Sequence, residues 1–189
     1  MNKIFLSLAL VLITLTAGCA NTAGKSPAEK RQAILDMRKS VLGELYSVKP
    51  DVRSQISSAK GYAVFSNANI NLIFASIGGG HGVVHSNATG KNTFMKMGEA
   101  GVGLGIGVKD FRVVFVFHST DAMTQFVDEG WAFGVNADAD AAAKASEKGG
   151  AIGGEATFDN ITIYQLTESG LALQATVKGT KFWKDSELN

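Results

Sequence analysis

The 189-residue chain is poor in cysteine, proline and histidine, with one, two and three of them, and its charges almost cancel at net +1. A single thiol forbids an intrachain disulfide, so a disulfide-stapled scaffold is excluded. Charged residues are 19% of the chain against 46% hydrophobic, too apolar for long-range disorder. Mean hydropathy is +0.11, yet no apolar run reaches the roughly 18 residues of a membrane-spanning helix. Near-neutral charge also argues against a nucleic-acid partner.

The hydropathy is concentrated at the start. Met1, Asn2 and Lys3 precede a 12-residue apolar stretch, 4–15, followed by Thr16, Ala17, Gly18 and Cys19. A positive n-region, a short apolar h-region and small residues before a cut site describe a secretory leader rather than a fold element. Leu15-Thr16-Ala17-Gly18-Cys19 resembles the lipobox of bacterial lipoproteins, in which the leader is cut before the cysteine, the thiol takes a diacylglycerol and the new amino group an acyl chain such as palmitate. Residues 1–18 are expected to be the signal peptide and 19–25 a lipidated tether. Several acyl chains on Cys19 would hold the protein durably, since each buried methylene contributes about 0.8 kcal/mol. Ala20 stands where an inner-membrane lipoprotein typically has aspartate, so the expectation is an exported protein anchored in the outer membrane and facing the periplasm. The alternative is a plain secreted protein with a chance cysteine.

Residues 26–189 are expected to form one domain. Ser26-Pro27-Ala28-Glu29 has the spacing of a capping box with proline at the first helical position. The helix should run to about Tyr46, with Ile34, Met37, Val41, Leu42, Leu45 and Tyr46 on one stripe. A shorter helix over 50–59 would face inward through Val52, Ile56 and Ala59. After Lys60 short apolar runs with period-2 alternation predict strands near 62–65, 71–77, 82–85, 93–97, 102–109, 112–118, 131–136, 156–165 and 171–177. Ser119 or Thr120 should cap a short helix, and 178–189 reads as an aromatic-bearing tail. Charge is segregated: residues 25–60 hold eight lysines and arginines against four acids, whereas 61–189 hold nine against thirteen. A basic helical layer would attract anionic lipid or pack on the acidic layer behind it.

Of the 22 glycines, sixteen lie between Gly78 and Gly154. Gly101, Gly103, Gly105 and Gly107 alternate with Val102, Leu104, Ile106 and Val108, which puts the four glycines on one strand face. A bare face implies close backbone approach, through a tightly packed helix, a sharply coiled sheet or a bound chain-like ligand. The run Gly78-Gly79-Gly80-His81-Gly82 reads as a bend or bulge.

Together these segments resemble the SYLF family, also called Ysc84-like or DUF500. The likeness rests on Ala59-Lys60-Gly61-Tyr62-Ala63-Val64-Phe65, on the glycine-rich run before Val83-Val84, on the 101–108 alternation, and on Phe133-Gly134-Val135-Asn136-Ala137-Asp138-Ala139. It spans about residues 28–179 and departs from the family at Ser66, usually Pro, and over 140–148. The resemblance implies lipid binding: eukaryotic members bind phosphoinositides, partly through a basic amphipathic N-terminal segment, and some bind actin, whereas bacterial members are mostly secreted or lipoprotein forms. Actin does not transfer to a periplasmic chain. Headgroup binding does, and Lys30, Arg31, Arg38 and Lys39 occupy the matching region.

Catalytic and metal chemistry is weakly represented. His81 and His85 share a strand face but stand about 13 Å apart, too far for one zinc. Asn136, Asp138, Asp140 and Glu147 match four positions of an EF-hand loop, but Ala141 replaces the required glycine, and an Ala-rich helix is preferred. Neither a P-loop nor a Gly-x-Ser-x-Gly elbow is present. Trp131, Phe133, Phe182 and Trp183 read as core or rim aromatics.

The expectation is therefore an α+β domain in which N-terminal helices pack on a mainly antiparallel, strongly curved β-sheet curled towards a barrel. Its function is non-catalytic binding of lipid headgroups or acyl chains, with no cofactor, metal or nucleic acid. The alternative is an envelope scaffold that binds a protein partner and touches the membrane only through Cys19.

Overall fold

The computed structural model describes residues 26–67, 79–99, 112–132, 155–158, 160–167, 170–171 and 180–189. The first helix, α1 (Pro27–Val48), starts as its sequence requires. The Ser26 hydroxyl accepts from the Glu29 N–H at 3.3 Å, and the Glu29 carboxylate accepts from the Ser26 N–H at 2.7 Å, closing a capping box. Its buried stripe is Ile34, Val41, Leu42 and Leu45. A second helix, α2 (Val52–Ser58), buries Val52 and Ile56. A third, α3 (Thr120–Asp128), is capped by the Ser119 hydroxyl and buries Phe126.

The strands are β1 (Gly61–Ser66), β2 (Gly79–Ser86), β3 (Asn92–Glu99), β4 (Arg112–Phe117), β5 (Trp131–Ala132), β6 (Glu155–Phe158), β7 (Ile161–Thr167), β8 (Gly170–Leu171) and β9 (Thr180–Lys184). They form one sheet in the order β5-β9-β3-β2-β1-β4-β7-β6, with β8 on β7. Every pairing among the described strands is antiparallel. The expected α+β class is correct.

Alternation sorts the side chains onto two faces. On one, Ala63, Phe65, Val84, Met95, Met97, Val113, Phe115, Phe117 and Phe182 gather around Phe126 of α3. On the other, Val64, Val114, Val116, Tyr164 and Leu166 meet α1 and α2.

The first face is concave, and ring distances measure how strongly. Strands β9 and β4 are four positions apart, so roughly 19 Å in a flat sheet, yet the Phe182 and Phe115 ring centroids lie 5.2 Å apart. Phe182 and Phe65, three strands apart, approach to 4.7 Å. Only a sheet rolled into a half-barrel permits this.

Three expectations change. The glycine-rich run makes no bulge between Gly79 and Ser86, because its register against β1 and β3 is continuous. Those glycines clear space instead: a Cβ at Gly82 would enter the Phe65 ring, and one at Gly80 would meet Met97 and the Ser66 carbonyl. The single strand expected over 156–165 is a hairpin, with Asn160 at φ 65° in its turn and Phe158 opposite Ile161. Asparagine tolerates that left-handed backbone. The expected tail is β9, paired with β3, followed by a turn that buries Asp185 and Leu188. The strands expected over 71–77 and 102–109, the glycines Gly101, Gly103, Gly105 and Gly107, and the leader with Cys19 lie outside the described residues.

Candidate functional site

Two regions hold the chemistry relevant to an anionic ligand. The first is the basic stretch of α1. Lys30, 13% exposed, pairs with Glu187. The Arg31 Nε donates to the Leu188 carbonyl at 2.8 Å, and Arg38 donates to the Asn92 side-chain oxygen at 3.0 Å. Three of the four sequence-chosen cations thus fasten α1 to the sheet and to the C-terminal turn. Lys39 is exposed, with no ion pair among the described residues.

The neighbouring ties are of the same kind. Arg112 of β4 pairs with Glu44 of α1, and the buried Tyr164 hydroxyl donates to Gln55 of α2 at 2.7 Å. Lys96 reaches the buried Asp185 at 3.3 Å. His81, on the same face, has its imidazole held below the ordinary range by burial, with Asp185 pulling it upward and Lys96 and Lys30 opposing that.

The second region is a cleft of about 300 Å³ on the concave side, between α3 and the β2–β3 hairpin. Reasoning from the sequence did not single it out, because its walls come from α3, β2, β3 and the hairpin turn. Val84 joins the phenylalanine core, and Met123 and Val127 pack against that core. These three side chains make an apolar floor. Lys60 and Lys91 stand among the lining residues, both exposed and neither in an ion pair among the described residues. Asp128 also lines the cleft but is engaged by Lys184 at 2.6 Å.

Backbone bonding sets the lysines on either side of the hairpin. The Ser86 N–H donates to the Lys91 carbonyl and the Asn87 N–H to the Lys60 carbonyl, each at 3.0 Å. The two backbones therefore stand about 10 Å apart, one strand spacing on each side of Ser86-Asn87. The Asn87 side chain locks this arrangement by donating to the carbonyls of Ile56 and Ala59, at 2.7 and 3.0 Å, which ties the turn to the end of α2. Gly90, at φ +71°, closes the turn with its N–H on the Ser86 carbonyl at 2.8 Å.

The histidines are not brought together. The His85 Nδ1 is 2.8 Å from the Asn92 Oδ1, and the His118 Nε2 is 2.8 Å from the Thr162 hydroxyl. Among the described residues no group of three His, Cys, Asp or Glu is placed to hold a metal ion. Phe182 is core, Trp183 is 39% exposed on β9, and Phe133 lies outside the described residues.

Residues 98–189 match the family model Ysc84, described as Las17-binding protein actin regulator. Over 171 residues, 87% of this chain, the sequence is 33% identical to Beta cell expansion factor A of Aeromonas veronii. The chain spans about three fifths of that protein's length, the alignment covering 60% of it. The matched segments include the blocks on which the sequence resemblance rests. By these likenesses the chain belongs to the Ysc84-like (SYLF) family.

Proposed function

We propose that the chain is a cell-envelope lipoprotein, exported under residues 1–18, acylated at Cys19 and held in the outer membrane facing the periplasm, whose domain binds anionic lipid without catalysis. Family membership supports a lipid-binding or scaffold domain. One observation carries the choice of lipid: cations without ion-pair partners collect at one end of the sheet. Arg38 contacts Asn92 beside Lys91, Lys39 follows Arg38 on α1, and Asn87 brings Lys60 to the same hairpin. Cations near an anionic bilayer surface contribute about 1 kcal/mol each. Acyl chains on Cys19 would hold the domain at the bilayer, where contacts this weak suffice.

The test uses residues 20–189, which keep every described element, sedimented with anionic or neutral vesicles across a salt series. Binding to anionic vesicles that weakens with salt supports the reading. Replacing Lys39, Lys60 and Lys91 together by Gln should cut that binding by about 10- to 100-fold. Absence of binding to anionic vesicles at low salt overturns it and leaves the scaffold reading, which the family's description as a Las17-binding protein favours. Anchoring is tested separately: a Cys19→Ser chain should leave the membrane fraction of cells.

A further inference from the structure

We propose that the cleft between α3 and the β2–β3 hairpin binds one molecule of an anionic amphiphile, its phosphate or carboxylate between Lys60 and Lys91 and its apolar chain on Val84, Met123 and Val127. The inference rests on the lipid reading above and gives it a site with a stoichiometry. A bilayer surface needs only exposed cations, whereas a monomer needs a concave floor beside them.

Four observations define the occupant. The volume of about 300 Å³ sits at the lower bound for small-molecule sites, enough for a headgroup and part of a chain. The floor is apolar and continuous with the phenylalanine core, so it is rigid and gains from displacing water. The charge is one-sided: the two lysines are unmatched among the described residues, and the cleft's acid, Asp128, is engaged by Lys184. The lining also carries hydroxyls able to donate to an anion, among them Thr93 beside Val84 on the β2–β3 pair and Thr124 on α3. A neutral apolar ligand would leave the lysines unused, and a bare anion would leave the floor wet.

The geometry is also held in advance of binding. Asn87 fixes the turn to α2, and Gly61 admits α3 at close range, since a Cβ there would lie 2.5 Å from the Met123 sulfur. Little ordering is left for the ligand to accomplish.

Calorimetry on residues 20–189 tests the proposal with dodecyl phosphate kept below its micelle concentration, beside inorganic phosphate and dodecyltrimethylammonium. The expected result is one dodecyl phosphate per chain, with the other two probes at least 10-fold weaker. Lys60→Gln with Lys91→Gln should weaken dodecyl phosphate at least 10-fold at an unchanged thermal midpoint. Thr124→Glu, on the exposed side of α3, should do the same by adding a negative charge. Lys181→Gln, exposed on β9 and outside the cleft lining, should leave the affinity unchanged.

Equal affinity for inorganic phosphate would mean a simple anion site and overturn the proposal. Equal affinity for the cationic amphiphile would mean unselective apolar adsorption and overturn it as well, as would normal affinity in the double Lys variant. Vesicle binding without dodecyl phosphate binding leaves the lipid reading standing and removes the cleft. Dodecyl phosphate binding lost in the double Lys variant, with vesicle binding absent throughout, keeps the cleft and removes the bilayer contact.

Discussion

The two faces of the sheet are held by different physics. The concave face is closed by five phenylalanines, Phe65, Phe115, Phe117, Phe126 and Phe182, drawn from β1, β4, α3 and β9, the last of which a flat sheet would keep apart from β1 and β4. The convex face is covered by α1 and α2 through aliphatic side chains, with a margin of ion pairs and hydrogen bonds from Lys30, Arg31, Arg38, Glu44 and Gln55. On the convex side Lys30, Arg31, Arg38 and Arg112 are consumed in holding the layers together, whereas Lys39 stays exposed. Those at the concave rim, Lys60 and Lys91, are left to meet something else. Basic residues in a sequence therefore do not locate a binding surface until their partners are known.

The comparison breaks most readily at Phe182, which touches Phe65, Phe115 and Phe126 from a distant strand. Phe182→Ala should cost about 3–5 kcal/mol, read from urea unfolding; a loss comparable to a surface substitution would mean that β9 does not close the half-barrel. Next comes Gly82→Ala, whose Cβ would enter the Phe65 ring and the Val64 carbonyl. A cost of about 1–3 kcal/mol is expected from overpacking, and Phe65→Leu should recover part of it in a double-mutant cycle if the ring is the obstacle.

The convex ties should respond more weakly. A double-mutant cycle on Lys30 and Glu187, a pair with Glu187 half exposed, should give a coupling below about 1 kcal/mol that shrinks in salt. The smallest effect belongs to His81. Its folded pKa lies below the ordinary 6.5 of a free imidazole, through burial first, so the unfolded chain takes up the proton more readily. The stability this contributes is fully present above pH 6.5 and falls as the pH drops through 6.5 towards the lower folded value. A His81→Gln chain should show a flatter dependence of its unfolding midpoint between neutral and mildly acidic pH. Asp185, Lys96, Lys30 and Glu187 surround the same group, so each must be kept in that experiment.

Local chemistry was legible at the helix termini and along the helix stripe, where a residue acts through its neighbours in sequence. Ser26, Pro27 and Glu29 announce the start of α1, the 3.6-residue stripe through Ile34, Val41, Leu42 and Leu45 gives its buried face, and Ser119 caps α3. Short apolar runs mark β1 and β4, since both faces of these strands are buried. The hairpin at Asn160 had a turn signal in Asp159-Asn160, hidden by apolar residues on both sides. β9 was missed because Thr180–Lys184 has one buried aromatic and two lysines, a pattern whose meaning depends on the neighbour β3.

What the amino-acid sequence determined by itself is the three helices, strands β1 to β4, the class of the fold, the family, and which residues are able to carry charge or apolar surface. Caps, periodicities and motifs are short-range properties, and they survive without knowledge of the rest of the chain. Tertiary structure alone decided the roll of the sheet, the use of Gly80 and Gly82 as clearances, the loss of Lys30, Arg31 and Arg38 to internal partners, and the pairing of Lys60 with Lys91 across Asn87. Those are distances between residues far apart in the chain. They follow from how the strands pair and how five aromatic rings fill one concave space, which no local pattern encodes.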